Sequence, residues 1–208
     1  MPDHFNIIDA GTHTEVRLTS ADETNRLTRA CVLALTDALV SLSENAKPLI
    51  IAGNPKFFSA GADLTEIQAL DAATGIAFAK IGQQLMNIIE RFPRPVFAVV
   101  EGYCMGGGFD LALACHCRIA SPHAIFGHRG AALGLMTGWG GTQRLPRLIG
   151  KTRTLALLAG AEKIHAGEAL RIGLVDAIAD DPIADALRRI HKNPYANRPF
   201  PPDDSVPR

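Results

Sequence analysis

The chain has 208 residues, enough for one domain with a sizeable core, and its 47% hydrophobic and 20% charged residues exclude a disordered or fibrous protein. Lys plus Arg (21) balance Asp plus Glu (21), so no net field draws it to nucleic acid or an anionic membrane. No apolar run reaches transmembrane length, and a soluble protein is expected.

In chain order, "HFNIIDAGTHTEVRLTS" predicts two short strands joined at Ala10-Gly11. A helix is predicted from about 28 to 42, where Leu27, Cys31, Leu35, Leu39 and Leu42 recur at three- to four-residue spacing. "KPLIIAG" has the form of a buried strand. Phe78, Ile81, Leu85, Ile88 and Phe92 mark a helix over 76–92, and "RPVFAVVEG" is the next buried strand. A glycine triplet then opens a helix, and "CRIAS" and "AIFG" predict two more strands. Beyond Gly138 the pattern is helical through "GTQRLPRLIG", "TRTLALLAG" and "AGEALRIG", each ending in a glycine suited to a left-handed stop. "LVDAIA" is a last strand and "PIADALRRI" a last short helix. Residues 193–208 carry five prolines in sixteen positions and are expected to be extended or disordered, leaving 1–192 as the domain. Strands alternating with helices predict an α/β architecture.

The triplet in "YCMGGGFDLALACHC" raises a chemical question, because glycine costs about 0.5–1 kcal/mol inside a helix relative to alanine. At a helix start the first N–H groups lack intrahelical partners and sit at the positive end of the macrodipole. Bare backbone there suits a phosphate or a reaction oxyanion; the alternative is tight packing of the helix start on a sheet. The pattern is neither G-x-G-x-x-G nor a P-loop, which argues against nucleotide phosphate. "FFSAGADLTEI" offers a second small-residue turn, Ser59-Ala60-Gly61-Ala62, before a helix with Asp63 as its expected N-cap. Two such turns meeting at one point would present two N–H donors to one carbonyl oxygen.

The segments "FFSAGADLTE", "EGYCMGGGFDLALAC", "RIASPHAIFGHRGAALGL", "GWGGTQRLPRLIG" and "AGEALRIGLVDAI" closely resemble the crotonase superfamily, also called the enoyl-CoA hydratase/isomerase family. They stand in family order and spacing and cover most of residues 10–180. The resemblance implies a spiral of repeated strand-strand-helix units. It also implies an acyl-CoA thioester substrate whose enolate is held in a backbone oxyanion hole. By motif position the two amides belong to Ala62 and Gly107, with Ala60, Gly61, Gly106 and Trp139 also against the substrate. Coenzyme A enters as part of the substrate, and no separate cofactor or metal is expected.

Asp110 matches the first catalytic carboxylate of the hydratases, a position that usually holds Glu. Aspartate is one methylene shorter, about 1.5 Å. A misplacement of about 1 Å can cost about a hundredfold in rate, so Asp110 is expected to work through a water or a shifted helix; the plain alternative is an acid favoured by the helix dipole. The second hydratase carboxylate falls at Gly130, after Arg129, and the aspartate that some relatives carry further on falls at Gly138. Hydration needs one group to activate water and another to deliver a proton. His128 is the candidate substitute, with a hydrogen-bonded, partly buried histidine as the plain reading. Arg129 is a candidate to hold a substrate carboxylate or to pair with Asp110. Trp139 either narrows the acyl pocket or simply packs.

Thr65 stands where relatives often carry a CoA-binding lysine, so phosphate contacts are expected from elsewhere. Asp176 is expected to be structural. "CHC" (Cys115, His116, Cys117) lacks zinc-site spacing, and with Cys31 and Cys104 these thiols read as buried small residues in a reduced, cytoplasmic protein without a leader. Relatives continue past "GLVDAI" with helices that complete the pocket and build trimers or hexamers. The expectation is a truncated C-terminal helical region, with a homotrimer or homohexamer still favoured. The functional expectation is an enzyme of hydratase/isomerase type. Decarboxylation, thioester hydrolysis or a non-catalytic acyl-CoA binder are the alternatives.

Overall fold

The computed structural model describes residues 4–192, and the proline-rich tail expected from residue 193 lies outside the described residues. The first two strands form as predicted, β1 (Phe5–Asp9) and β2 (Thr14–Leu18), paired antiparallel. β3 (Arg26–Leu27) leads to α1 (Arg29–Glu44). Thr28 caps that helix, its hydroxyl accepting from the Cys31 N–H at 3.1 Å.

From residue 49 one unit recurs. The first comprises β4 (Leu49–Ala52), β5 (Phe57–Ser59), the short β6 (Gly61–Ala62), then α2 (Leu64–Gln68) and α3 (Ala72–Glu90). The second is β7 (Val96–Val100), β8 (Tyr103–Met105) and α4 (Gly107–Ala114). The third is β9 (Cys117–Ala120), β10 (Ile125–Gly127), a single 3-10 turn over Arg129–Leu133, α5 (Gly141–Ile149) and α6 (Lys151–Gly160). β11 (Lys163–His165), α7 (Ala166–Arg171), β12 (Ala177–Ile178) and α8 (Pro182–Lys192) follow.

Each unit gives one strand to a six-stranded sheet, ordered β1-β2-β4-β7-β9-β12, and one to a four-stranded sheet, ordered β11-β10-β8-β5. The repeats therefore stack in chain order as the expected strand-strand-helix spiral. β4, β7 and β9 pair in parallel, as do β5, β8 and β10. Leu49, Ile51, Val96, Ala98 and Val100 face the main core with α1 and α3. Their alternates Ile50, Ala52, Phe97 and Val99 face a second cluster closed by Ala186 of α8. Burial on both faces explains why these strands read as unbroken apolar runs.

Two local expectations are corrected. The region read as helix after helix contains β11, which pairs antiparallel with β10. Only Ile164 is buried in it, so three residues carry no legible alternation. The left-handed residue ending α6 is Ala161 (φ 50°) rather than the preceding glycine.

Candidate active site

β5 and β8 are neighbours, with Phe57 opposite Tyr103 and Ser59 opposite Cys104. Their exits therefore run side by side, and the two small-residue bends touch. Gly61 takes φ 96°, and a Cβ there would stand 2.6 Å from the Met105 carbonyl and 2.9 Å from the Gly107 nitrogen. Gly106 takes φ 52°, where an L side chain is strained. A Cβ on Gly107 would lie 3.3 Å from the Ala62 nitrogen, and one on Gly108 would lie 2.5 Å from the Ser59 side chain. The expected meeting of the bends is thus present, with Ala62 and Gly107 in direct proximity. Gly107 is the first residue of α4, so its N–H has no intrahelical acceptor.

The first bend is braced from behind. The Ser59 hydroxyl donates to the Asn25 carbonyl (2.7 Å) and accepts from the Gly61 N–H (3.0 Å). Asn25 Nδ2 donates to the Phe57 carbonyl at 2.8 Å. Asp63 caps α2 as expected, accepting from the Thr65 and Glu66 N–H groups.

A cavity of about 430 Å³ opens in front of the bends, and Ala60, Ala62, Gly106, Gly107, Asp110, His128 and Trp139 all line it. Gly61 is buried as the packing contact between the bends. Wider grooves of about 700 and 890 Å³ lie along α3, but neither bend lines them.

Asp110 is 2% exposed. Burial pushes its carboxyl up to about 7, and three effects oppose this: a hydrogen bond from Thr137, the Arg144 charge and the Gly141 amide. The Thr137 hydroxyl donates to Asp110 Oδ2 at 2.7 Å. The Gly141 N–H closes its hydrogen bond on Thr137 Oγ1 (3.3 Å), and Asp110 Oδ1 has no partner. Thr137 was not found by sequence reasoning. Its signal is a lone hydroxyl residue in an otherwise apolar and glycine-rich loop, 27 residues from the acid it serves.

His128 is buried, and desolvation lowers its pKa, which favours the neutral ring. Its Nδ1 accepts from the Gly130 N–H at 3.4 Å, which assigns the ring proton to Nε2, 3.9 Å from Asp110 Oδ2. A Cβ on Gly130 would meet the Leu135 carbonyl at 2.9 Å and the His128 ring at 3.0 Å. The imidazole thus occupies the room that a side chain at position 130 would need. Arg129 is exposed and also lines this cavity, while Thr137 Oγ1 and His128 Nε2 stand 2.7 Å and 3.9 Å from Asp110 Oδ2.

Trp139 is inserted between α3 and the start of α4. A Cβ on Gly82 or on Gly107 would fall 2.2 Å or 2.4 Å from its ring, and Phe78 packs against it at 5.3 Å between centroids. Buried Arg144 holds the loop by donating to the Trp139 carbonyl (3.2 Å), Asn87 Oδ1 (2.8 Å) and Glu90 Oε2 (2.7 Å).

Elsewhere, His116 is engaged by main chain. Its Nδ1 accepts from the Val96 N–H (2.8 Å), and Nε2 lies 3.0 Å from the Glu90 carbonyl. Asp176 accepts from the Arg118 N–H (2.8 Å), a structural contact. Among the described residues, no cluster of His, Cys, Asp and Glu could hold a metal, and no helix is long and apolar enough to cross a membrane.

The chain is 41% identical over 157 residues to a crotonyl-CoA hydratase of Syntrophomonas wolfei, covering 74% of this chain and 60% of that protein. It is 45% identical over 136 residues to a probable enoyl-CoA hydratase of Bacillus subtilis, covering 65% and 53%. The match thus spans less than two thirds of either relative. Among solved structures, the enoyl-CoA hydratase of Bacillus anthracis superposes with a TM-score of 0.86 at 32% identity, over 91% of this chain and 76% of that one. DspI of Pseudomonas aeruginosa gives 0.86 at 31% identity, over 91% and 79%. With the family's sequence profile matching residues 11–192, the chain belongs to the enoyl-CoA hydratase/isomerase family.

Proposed function

We propose that the chain moves protons on an acyl-CoA thioester, as an enzyme of hydratase/isomerase type. The thioester oxygen sits between the Ala62 and Gly107 amides, and Asp110 is the acid–base group. The single observation that carries the reading is the contact of the two bends over a cavity walled by a buried carboxyl. Pre-aimed amides in such a site contribute about 3–4 kcal/mol each to an enolate-like transition state. A carboxyl poised near neutrality can both accept and return a proton. The substrate brings its own coenzyme A, and no further cofactor is required. Assembly as a homotrimer or homohexamer remains part of the proposal.

Glycine at 130 weakens both routes, since isomerases that resemble this chain usually keep an acid there as well, but a single surviving carboxyl suffices for double-bond migration and not for hydration. Migration needs one group that takes a proton from one carbon and returns it to another, whereas hydration needs a second group for water. Two thioesters test this. Vinylacetyl-CoA should gain conjugated absorbance as its double bond shifts, and crotonyl-CoA should lose it more slowly through hydration. If neither is turned over while butyryl-CoA binds tightly, the chain is an acyl-CoA binder and the catalytic proposal is wrong.

A further inference from the structure

Asp110 is one methylene short of the glutamate expected at its position, and both its oxygens are withdrawn. Oδ2 is taken by the Thr137 hydroxyl at 2.7 Å, and Oδ1 is buried beside Gly141, whose Cβ, if it had one, would stand 2.3 Å away. Thr137 lines the same cavity wall as Asp110. A hydroxyl has one proton to donate and two lone pairs to accept with. In Thr137 the proton goes to Asp110 and one lone pair takes the Gly141 N–H. The second lone pair has no protein donor assigned to it.

We propose that Thr137 is a catalytic proton relay, its hydroxyl standing between the substrate carbon and Asp110 and supplying the reach that the shorter acid lacks. The inference rests on the reading of Asp110 as the acid–base group. In the forward step the substrate Cα–H bond breaks and its electron pair forms the enolate held by the Ala62 and Gly107 amides. The proton passes to Thr137 Oγ1 as the hydroxyl's own proton passes to Asp110 Oδ2. Thr137 ends as a hydroxyl and Asp110 as a neutral acid. The return step reverses the transfer, delivering the proton to Cα or, when the double bond shifts, to Cγ. No oxidant or external base is needed. The Gly141 N–H keeps the hydroxyl in place through both steps.

The experiment follows deuterium entry from heavy water at the α-carbon of vinylacetyl-CoA, with butyryl-CoA affinity and thermal melting measured on the same proteins. Asp110→Asn should abolish exchange. Thr137→Val, nearly isosteric, should slow exchange by about a hundredfold, the scale of a lost general acid–base group, with affinity unchanged. Thr137→Ser should restore exchange to within about tenfold of the unaltered chain, because only the hydroxyl is required. Adding Asp110→Glu to Thr137→Ala should recover exchange, since the longer acid then spans the gap directly; failure to recover would overturn the argument that Thr137 supplies the missing reach. If Thr137→Val exchanges at the unaltered rate while Asp110→Asn is inactive, the relay is wrong and the role of Asp110 stands. If Asp110→Asn still exchanges, or the unaltered chain does not, the proposed function falls and the relay with it.

Discussion

Replacing Asp110 by asparagine should remove catalysis and at the same time make the fold more tolerant of alkaline pH. The carboxyl has a pKa of about 7 in the folded chain against 3.8 when unfolded. Between those values the folded state binds a proton that the unfolded state has released. The group's stabilising contribution is therefore fully present below about pH 4 and is lost as pH rises through about 7. The slope is about 1.4 kcal/mol per pH unit, so three units give about 4 kcal/mol as an order of magnitude. At 2% exposure, solvent screening offers little relief. Asparagine does not titrate and can still accept the Thr137 hydrogen bond. Urea denaturation of both proteins at a series of pH values isolates the carboxyl, because the shared groups cancel in the difference. The asparagine variant should gain on the parent steadily from about pH 4 to about pH 7 and then hold its advantage. Two stability profiles separated by a constant amount would refute the reasoning, as would an advantage that shrinks with rising pH.

Three further outcomes are expected. Gly130→Glu should destabilise by about 1–3 kcal/mol in chemical denaturation, and should not raise crotonyl-CoA hydration, because the new Cβ meets the Leu135 carbonyl at 2.9 Å and the His128 ring at 3.0 Å; shortening His128 as well relieves only the second contact. Gly108→Ala drives a methyl to 2.5 Å from Ser59 and spreads the two bends without touching the cavity wall, so exchange should slow by about tenfold or more while butyryl-CoA affinity changes little. Arg144→Ala leaves Glu90 to the more distant Arg147 at 3.8 Å and frees the Trp139 loop; a loss of about 2 kcal/mol is expected, below that of a fully buried pair because Glu90 is about a third exposed and keeps this second cation. Trp139 is the only tryptophan, so its emission reports the loosening directly as a red shift.

Much of the scaffold was legible because its signals are local. The apolar runs at β4 and β7, the Asp63 cap and the stripes of α1 and α3 each follow from a few adjacent residues. The meeting of the bends at 59–62 and 105–107 depends instead on which strands are neighbours, and spacing along the chain does not encode that. The family resemblance supplied it. The partners of Asp110 were not supplied by either route. Thr137 lies 27 residues away in a loop without periodicity, and the Gly130 position announced only a missing acid, not the imidazole that fills its room. The slot for Trp139 was hidden for a similar reason. Gly82 sits inside a helix, where it reads as a weakness until the ring that needs its missing Cβ is known.

Packing and chemistry, set against each other as explanations for the glycine triplet, turn out to share the same atoms. Gly107 is bare because Trp139 lies where its side chain would be, yet its nitrogen heads α4 beside Ala62. An oxyanion site works by having its donors fixed before charge develops, since amides that must reorganise return little of their energy. Contact of Gly61 with the Met105 carbonyl and the Gly107 nitrogen, of Gly108 with Ser59, and of Ser59 with both Asn25 and Gly61 leaves the two bends almost no freedom to separate. On the proposed reading, close packing behind the bends is what holds the two amides fixed in front of them. A side chain at Gly61 or Gly108, neither of which lines the cavity, would act on that site by moving the backbone.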